Sequence, residues 1–291
     1  MKKEVRAIFD IQAEHGEGPV WDEKNQQLYW VDIGQGKFYT GDLASGRTAA
    51  YSIGQALGVL GLREMGGIVM AVRDGFGFFD EKTGLFQLIE PSPEQHNALV
   101  RFNDGAVDPA GRFFAGTMAW DEEQCLGKLF RLDPDLSWEA VEDHLHIPNG
   151  MGWSKDLSTY FMIDTMQQAV FAYDYDVSTG AIANRRKFIE FPKGEFPDGM
   201  CMDSEDGFWI ALWGLKKVVH FDHSGKRVAE IIVPALHPTS CCFGGEQMQT
   251  LFITSSQRDL TPAQKIAYPL AGRTFVIETD VVGKVEPRFR G

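Results

Sequence analysis

The 291-residue chain is poor in basic residues and in long apolar runs. Lys and Arg total 28 against 41 Asp and Glu, which gives a formal net charge of −13. Nucleic acid is therefore not an expected partner, because phosphate binding needs concentrated positive charge. No apolar run reaches the roughly 18 residues of a membrane-spanning helix. The N-terminal lysines are not followed by an apolar core of about 7–15 residues, so a secretory signal is not expected either.

Cysteine is also scarce, with four residues in the chain. They form no C-x-x-C pair, and no histidines are spaced near them as zinc ligands, so a zinc site of this kind is not expected. Two of them are adjacent in sequence, which ordinary disulfide geometry does not favour. The interpretation is free, mostly buried thiols in a reducing cytoplasm. The four residues are Cys125, Cys201, Cys241 and Cys242.

Several common catalytic motifs are missing as well. The chain has no G-x-S-x-G nucleophile elbow, no Walker loop and no G-x-G-x-x-G after a predicted strand. These absences argue against an α/β-hydrolase, a P-loop nucleotide hydrolase and a dinucleotide-binding enzyme.

The chain does contain an internal repeat. A short apolar strand, a polar turn and a second hydrophobic strand recur six times at intervals of about 40 to 50 residues, which is the range of propeller blades. A third strand is legible in several repeats, for example at 37–40 and 169–173, each followed by a glycine turn. The repeats begin near Val20, Leu60, Val107, Met151, Met200 and Cys242.

This pattern predicts an all-β fold, a six-bladed β-propeller with four-stranded blades. No linker or change of composition divides the chain, so residues 1–291 are expected to form one domain. The stretch 5–11 is predicted as a strand that completes the last blade beside 274–277. Such a strand would close the ring and leave no long sheet edge exposed.

Four repeats place an oxygen-bearing side chain directly before a glycine: Glu17, Asp104, Asn149 and Asp198. Equivalent positions of a circular repeat point at one axis, so we expect Glu17, Asn149 and Asp198 to meet at one mouth of the channel, just before the innermost strands. Oxygen donors without thiolate or imidazole suit Ca²⁺, Mg²⁺ or Mn²⁺. Each pair taken alone is equally compatible with an ordinary turn. We interpret Asp104 as such a turn residue.

Longer segments of the chain resemble the regucalcin (senescence marker protein) and gluconolactonase family. The resemblance covers nearly the whole chain, and its motifs are long and in the same order. The segments that carry it are 16–22 (GEGPVWD), 101–105 (RFNDG), 108–118 (DPAGRFFAGTM), 148–154 (PNGMGWS) and 197–200 (PDGM).

The resemblance implies a six-bladed propeller with one divalent ion in the channel and sugar hydroxyls bound beside it. Family members often have Ala-Glu-Glu after the Gly-Thr-Met segment, whereas this chain has Ala-Trp-Asp-Glu, so the aligned carboxylate is one methylene shorter. This departure affects the identity of the substrate more than the type of reaction. The implied metal ligands are Glu17, Asn149 and Asp198, and the implied substrate-binding residues are Arg101, Asn103 and Asp121.

The function expected from this resemblance is divalent-metal-dependent hydrolysis of a sugar lactone, with Asp198 as both ligand and catalytic base and with Ca²⁺, Mg²⁺, Mn²⁺, Zn²⁺ or Fe²⁺ as the ion. Alternatives are a calcium-binding regulatory protein, a phosphoester hydrolase on the same scaffold and an interaction scaffold with a structural ion. The acidic triplet 121–123 favours a neutral polyhydroxylated substrate over a phosphate. We expect a cytoplasmic monomer or weak homo-oligomer with no nucleic-acid or membrane partner.

Overall fold

The structure is a computed structural model that describes residues 4–291. Within those residues the chain forms 24 strands in six four-stranded antiparallel sheets, which are the blades of a six-bladed β-propeller. The predicted fold class and blade number are confirmed.

Each blade runs from an inner to an outer strand, and the first strand of the chain belongs to the last blade. The strands of the first half are β1 (Arg6–Ile8), β2 (Gly16–Asp22), β3 (Gln27–Asp32), β4 (Lys37–Asp42), β5 (Thr48–Ser52), β6 (Leu57–Leu62), β7 (Ile68–Val72), β8 (Gly75–Asp80), β9 (Leu85–Leu88), β10 (Val100–Val107), β11 (Phe113–Ala119), β12 (Gly127–Leu132) and β13 (Trp138–Leu145). Those of the second half are β14 (Pro148–Trp153), β15 (Thr159–Asp164), β16 (Ala169–Asp176), β17 (Ala181–Glu190), β18 (Phe196–Met202), β19 (Phe208–Trp213), β20 (Lys217–Phe221), β21 (Arg227–Ile232), β22 (His237–Gly244), β23 (Thr250–Ser256) and β24 (Thr274–Glu278).

Helix is nearly absent from the described residues. It comprises a 3₁₀ turn at Thr165–Gln167 and one α-helix, α1 (Pro262–Ala267), which begins in a capping box made by Thr261 and Gln264. No helix in residues 4–291 has the length and apolar character needed to cross a membrane.

The inner strands β2, β6, β10, β14, β18 and β22 form the wall of the central channel. Each contacts the inner strand of the blade on either side, and β22 returns to contact β2, which closes the ring. The second strands, such as β7 and β11, are buried along their whole length because blades pack on both of their faces. The outermost strands, such as β17, are largely exposed. Burial therefore decreases from the second strand of a blade to its outermost strand. This explains why second strands such as β7, with the sequence IVMAV, are almost wholly apolar.

The ring is closed by the N-terminal strand, as predicted. β1 pairs antiparallel with β24, with Ala7 opposite Phe275, and is shorter than the predicted stretch 5–11. At the far mouth of the channel the segment 283–291 crosses from blade to blade. Gly283 bridges to Asp203, and Phe289 pairs beside Arg63 and is fully buried.

Each of the six inner strands contains an irregularity where its register against the second strand shifts. The shifts fall between Glu17 and Val20 and between Asn149 and Met151, among others. The prediction that the residue-glycine pairs precede the innermost strands is therefore wrong, because they lie inside those strands. A bulge places two residues opposite one, which turns a side chain out of the normal alternation.

Candidate metal and substrate site

A cavity of about 260 Å³ opens at the mouth of the channel where the inner strands begin. It is lined by side chains from five of the six blades. Of the residues predicted from sequence, the cavity brings together Glu17, Arg101, Asn103, Asn149 and Asp198. Asp121 is not among its lining residues.

The glycine after each proposed metal ligand is required either by crowding around the channel or by its backbone conformation. A Cβ atom at Gly199 would lie 2.1 Å from Ser240 Oγ on the neighbouring inner strand. Gly18 has a φ of +48°, in the left-handed region that favours glycine. The residue-glycine signal therefore reflects a bulged backbone packed against the next blade, and the residue before the glycine is the one that lines the cavity.

Asn149 lies at the centre of the metal-ligand set predicted from sequence. Its Nδ2 donates to Asp198 Oδ1 at 2.7 Å and to Thr165 Oγ1 at 3.0 Å. The Thr165 hydroxyl in turn donates to the Pro197 carbonyl at 2.7 Å, so its oxygen can only accept from Asn149. These bonds fix which end of the amide is nitrogen. They leave Asn149 Oδ1 buried and without a hydrogen-bond partner.

Two carboxylates, Glu17 and Asp198, line the same cavity as this unpartnered oxygen. Burial raises the pKa of Glu17 well above its usual value, and the negative charges of Asp198 and Asp104 raise it further. Burial, and then the charge of Asp104, also raises the pKa of Asp198. A cation between these groups would offset both desolvation and repulsion.

The donor set therefore fits a hard divalent cation. Glu17 and Asp198 can supply carboxylate oxygens and Asn149 an amide oxygen. Within residues 4–291 no three His, Cys, Asp or Glu side chains are grouped to hold a metal ion. An ion here would thus depend on the Asn149 oxygen as its third protein ligand.

Arg101 and Asn103 form a second group on β10. Arg101 Nη1 donates to Asn103 Oδ1 at 2.8 Å and to the Phe102 carbonyl at 3.1 Å, while Asn103 Nδ2 donates to the Pro148 carbonyl at 3.0 Å. Burial, followed by the charge of Arg258, lowers the pKa of Arg101 to about 10. Asn103 thus ties a buried guanidinium to the neighbouring blade and fixes its direction.

The loop after β11 departs from the expectation for Asp121. The Asp121 side chain is exposed and accepts hydrogen bonds from the backbone N–H groups of Glu123 and Gln124, so it caps its own turn. The adjacent Glu122 lines the cavity and pairs with Arg258 at 2.7 Å. The reason is that Glu122 has a φ of +60°, which turns the chain at this point.

Asp104 also differs from the sequence-based interpretation. It lies within β10 and is buried, with Oδ1 accepting from the Gly105 N–H at 2.7 Å, so its assignment to a turn is wrong. It lines a small cavity of about 50 Å³ inside the channel, together with Glu286.

The cavity residues that sequence reasoning missed include His15, Thr165, Trp213 and Arg258. His15 directly precedes the Gly-Glu-Gly motif, which is the one local signal that could have identified it. The other three lie at the ends of second strands or beyond them. Loop positions of this kind carry no repeat pattern.

Comparison with known proteins agrees with this architecture. A family model described as the SMP-30/Gluconolactonase/LRE-like region matches residues 15–257. The chain belongs to this family. The match spans all of the cavity residues named above except Arg258, which lies one position beyond it.

Members of the SMP-30/gluconolactonase family match this chain over nearly their full length. Regucalcin from Gallus gallus is 39% identical over 269 residues, covering 90% of each chain. The Bacillus subtilis protein YvrE, provisionally named a sugar lactone lactonase, is 32% identical over 284 residues, covering 97% of each. Among solved structures, a calcium-binding regucalcin from Agrobacterium tumefaciens superposes with a TM-score of 0.95 at 26% identity, covering 99% of this chain and 98% of that one.

Asp104 generates a pH-dependent prediction for this family member. Burial raises its pKa from 3.8 to about 6. Asp104 therefore lowers the free energy of unfolding above pH 6, because the unfolded chain releases this proton more readily than the folded one. We expect Asp104→Asn to raise the free energy of unfolding by about 1–3 kcal/mol at pH 7.5 and to change it little at pH 4.

The measurement is urea unfolding at both pH values in the presence of a chelator. Glu246→Gln, which changes an exposed carboxylate, serves as the control and should show no such difference. If Asp104→Asn lowered the free energy of unfolding more at pH 7.5 than at pH 4, the pKa of Asp104 would not be raised in the folded protein.

Proposed function

We propose that the protein hydrolyses a sugar lactone to the aldonic acid, with one divalent ion held by Glu17, Asn149 and Asp198. The observation that carries the proposal is the unpartnered Asn149 oxygen beside two desolvated carboxylates, in a cavity that also contains Arg101. Membership of the SMP-30/gluconolactonase family supports the reaction class. The candidate ions are Ca²⁺, Mg²⁺, Mn²⁺, Zn²⁺ and Fe²⁺.

A bound ion would supply Lewis-acid polarisation of the lactone carbonyl. Glu17 and Asp198 would each contribute a carboxylate oxygen, and Asn149 its free Oδ1. The Thr165 hydroxyl accepts a hydrogen bond from Asn149 Nδ2 and donates to the Pro197 carbonyl. These bonds fix the position of the amide nitrogen and leave the amide oxygen free to bind the ion. The ligand set is thereby oriented before anything binds.

Asp198 is the proposed proton acceptor. Its Oδ1 is engaged by Asn149 Nδ2, whereas Oδ2 accepts no hydrogen bond from the described residues. Asp198 would take a proton from the attacking water as the water oxygen bonds to the carbonyl carbon. When the ring C–O bond breaks, the same carboxyl group would return the proton to the departing ring oxygen. The products are one hydroxyl and one carboxylic acid, so atoms and protons balance.

Arg101 is the proposed donor to the substrate hydroxyls. Hydrogen bonds from the described residues engage only Nη1 of this guanidinium, which leaves Nη2 and Nε for the ligand. Asn103 fixes the guanidinium from the side. Orientation by fixed donors converts a loose encounter into a positioned one.

A second candidate function is calcium-dependent regulation. It is favoured by the relatives named regucalcin and by the calcium-binding description of the Agrobacterium tumefaciens protein. An all-oxygen donor set also suits Ca²⁺.

The proposed function also includes a cytoplasmic location and a monomeric or weakly associating state. Three of the four free thiols are buried, which suits a reducing compartment.

The proposal predicts metal-dependent acid release from aldonolactones. Purified protein should hydrolyse at least one sugar lactone, a chelator should abolish this activity, and one of the five candidate ions should restore it. A pH-indicator assay with a panel of lactones measures the rate. Failure to hydrolyse any lactone with any of these ions, combined with Ca²⁺ binding by calorimetry, would favour the regulatory alternative. Hydrolysis of phosphoesters instead of lactones would favour the other enzyme class.

Variants at Asp198 and Arg101 should affect different kinetic constants. Asp198→Ala removes the proton acceptor and a metal ligand, so kcat should fall by at least about 10²-fold. Arg101→Ala removes hydroxyl donors, so KM should rise by about tenfold or more while kcat changes less. Steady-state kinetics at saturating metal give both values. Near-normal turnover by Asp198→Ala with the metal still bound would make this mechanism wrong.

The two adjacent carboxylates after β11 form a matched pair of tests. Glu122 lines the cavity, whereas the family alignment points to Asp121, whose carboxylate caps its own turn. We expect Glu122→Gln to raise KM by about five- to tenfold, as loss of a charged hydrogen bond would. Asp121→Asn should change KM by less than about twofold. The opposite result would restore the alignment-based role of Asp121.

A further inference from the structure

His15 is a buried polar group of the cavity that the proposed reaction does not use. It lines the same cavity as the predicted metal ligands and has a relative exposure of 8%. It lies directly before β2, where it forms an isolated antiparallel bridge with Ser256 at the end of β23. The backbone around it is therefore fixed by two blades.

The Ser256 hydroxyl engages one of the two nitrogens of the His15 ring. Ser256 Oγ can donate to the Glu14 carbonyl at 3.1 Å and accepts from the Arg258 N–H at 3.0 Å. His15 Nδ1 lies 2.9 Å from the same oxygen. The Glu14 carbonyl also accepts the backbone N–H groups of Gln257 and Arg258, both at 3.0 Å, so the hydroxyl proton can point to this carbonyl or to Nδ1. Ser256 engages Nδ1 in either tautomer, which leaves Nε2 as the ring nitrogen that can meet a ligand, as an acceptor in one tautomer and as a donor in the other.

The ring is held in place and is surrounded by positive charge. Its edge packs against the Trp213 indole at a centroid distance of 5.7 Å and an interplanar angle of 74°. Arg101 and Arg258 also line the cavity. Among the described residues, Nε2 has no hydrogen-bond partner. It is the one polar atom that this ring can offer to a ligand.

A polyhydroxylated ligand needs hydrogen-bond partners on several sides. Arg101 and Arg258 can only donate, and the ionised carboxylates of Glu122 and Asp259 can only accept. A hydroxyl group can do both, so Nε2 of His15 can bind one in either tautomer.

We propose that Nε2 of His15 forms a hydrogen bond with one hydroxyl of the lactone and thereby selects hydroxylated lactones over their deoxy analogues. This inference rests on the proposed lactonase function. His15 acts here as a positioning residue, because no bond of the lactone forms or breaks at its ring.

Two substitutions separate this role from a structural one. His15→Asn keeps an N–H near the position of Nδ1, so it can still donate to Ser256, but it has no atom at the position of Nε2. His15→Gln is longer and can place an amide oxygen near that position. Both variants are assayed as full-length metal-loaded protein, with thermal unfolding as the check that each is folded.

The readout is kcat and KM on the best lactone of the panel and on analogues that each lack one hydroxyl. We expect His15→Asn to raise KM by about tenfold with a smaller change in kcat, the size of one lost hydrogen bond to a ligand. The wild-type preference for one hydroxyl should disappear in this variant, and His15→Gln should restore part of it.

The inference is overturned if His15→Asn retains the wild-type preference at every hydroxyl. It is also overturned if the Asn and Gln variants lose activity equally on every lactone, since that result indicates a purely structural role. A wild-type protein that hydrolyses no lactone would overturn the proposed function itself, and the inference with it. These outcomes are distinguishable because the wild-type panel is measured first.

Discussion

The site depends on the close approach of six inner strands around one axis. Neighbouring inner strands come so near that Gly199 has no room for a side chain beside Ser240. Each inner strand also shifts its register once, and at three blades the shift coincides with Glu17, Asn149 or Asp198. The crowding forces the glycine, and the bulge re-aims the residue before it. Closure of the ring by β1 on β24 keeps all six strands at this spacing.

Such packing holds together groups that repel one another. Glu17, Asp104 and Asp198 are three buried carboxyl groups. The charge of Asp104 raises the pKa values of Glu17 and Asp198, and the charge of Asp198 also raises the pKa of Glu17. Ionised carboxylates in a buried site are costly unless a cation or hydrogen bonds compensate them. The rest of the propeller, with its continuous buried second strands, must supply the stability that this cluster removes. A divalent ion would relieve the same strain, so metal affinity and stability are linked in this fold.

The sequence was a good guide to the fold and a partial guide to the site. The repeat interval and the hydrophobic strands predict six blades, and the strand at 274–277 predicts closure, because these features recur and are fixed by burial. The residue-glycine pairs identify Glu17, Asn149 and Asp198, but the same pairs are typical of ordinary turns, so the sequence does not show that they lie in bulges inside the inner strands.

Loop residues could not be derived in the same way. Asp121 and Glu122 are adjacent in sequence, and only the backbone turn at φ +60° decides which one lines the cavity. Asp104 precedes a glycine as its counterparts do, yet it lines the inner channel instead of the mouth. Arg258 becomes a cavity residue only because the chain turns back after β23. Each of these outcomes depends on three-dimensional loop geometry, which residue type does not encode.

The charges of the cavity bear on the kind of substrate it can hold. The acidic triplet 121–123 alone suggests repulsion of anions, but Glu122 pairs with Arg258 at 2.7 Å, and Asp259 lies 3.3 Å from the same guanidinium. If a divalent ion balances Glu17 and Asp198, the remaining charges are two guanidiniums, Arg101 and Arg258, and two carboxylates, Glu122 and Asp259.

These charges sum to zero, so the loaded cavity would neither attract nor repel an ionic ligand strongly at long range. Selection must then come from short-range contacts, namely the hydrogen bonds of Arg101 and His15 and the shape of the wall formed by Trp213. A neutral lactone rich in hydroxyl groups satisfies these conditions without leaving an uncompensated charge in the cavity. A phosphoester would add a negative charge to a cavity whose charges already sum to zero, so one buried charge would be left uncompensated.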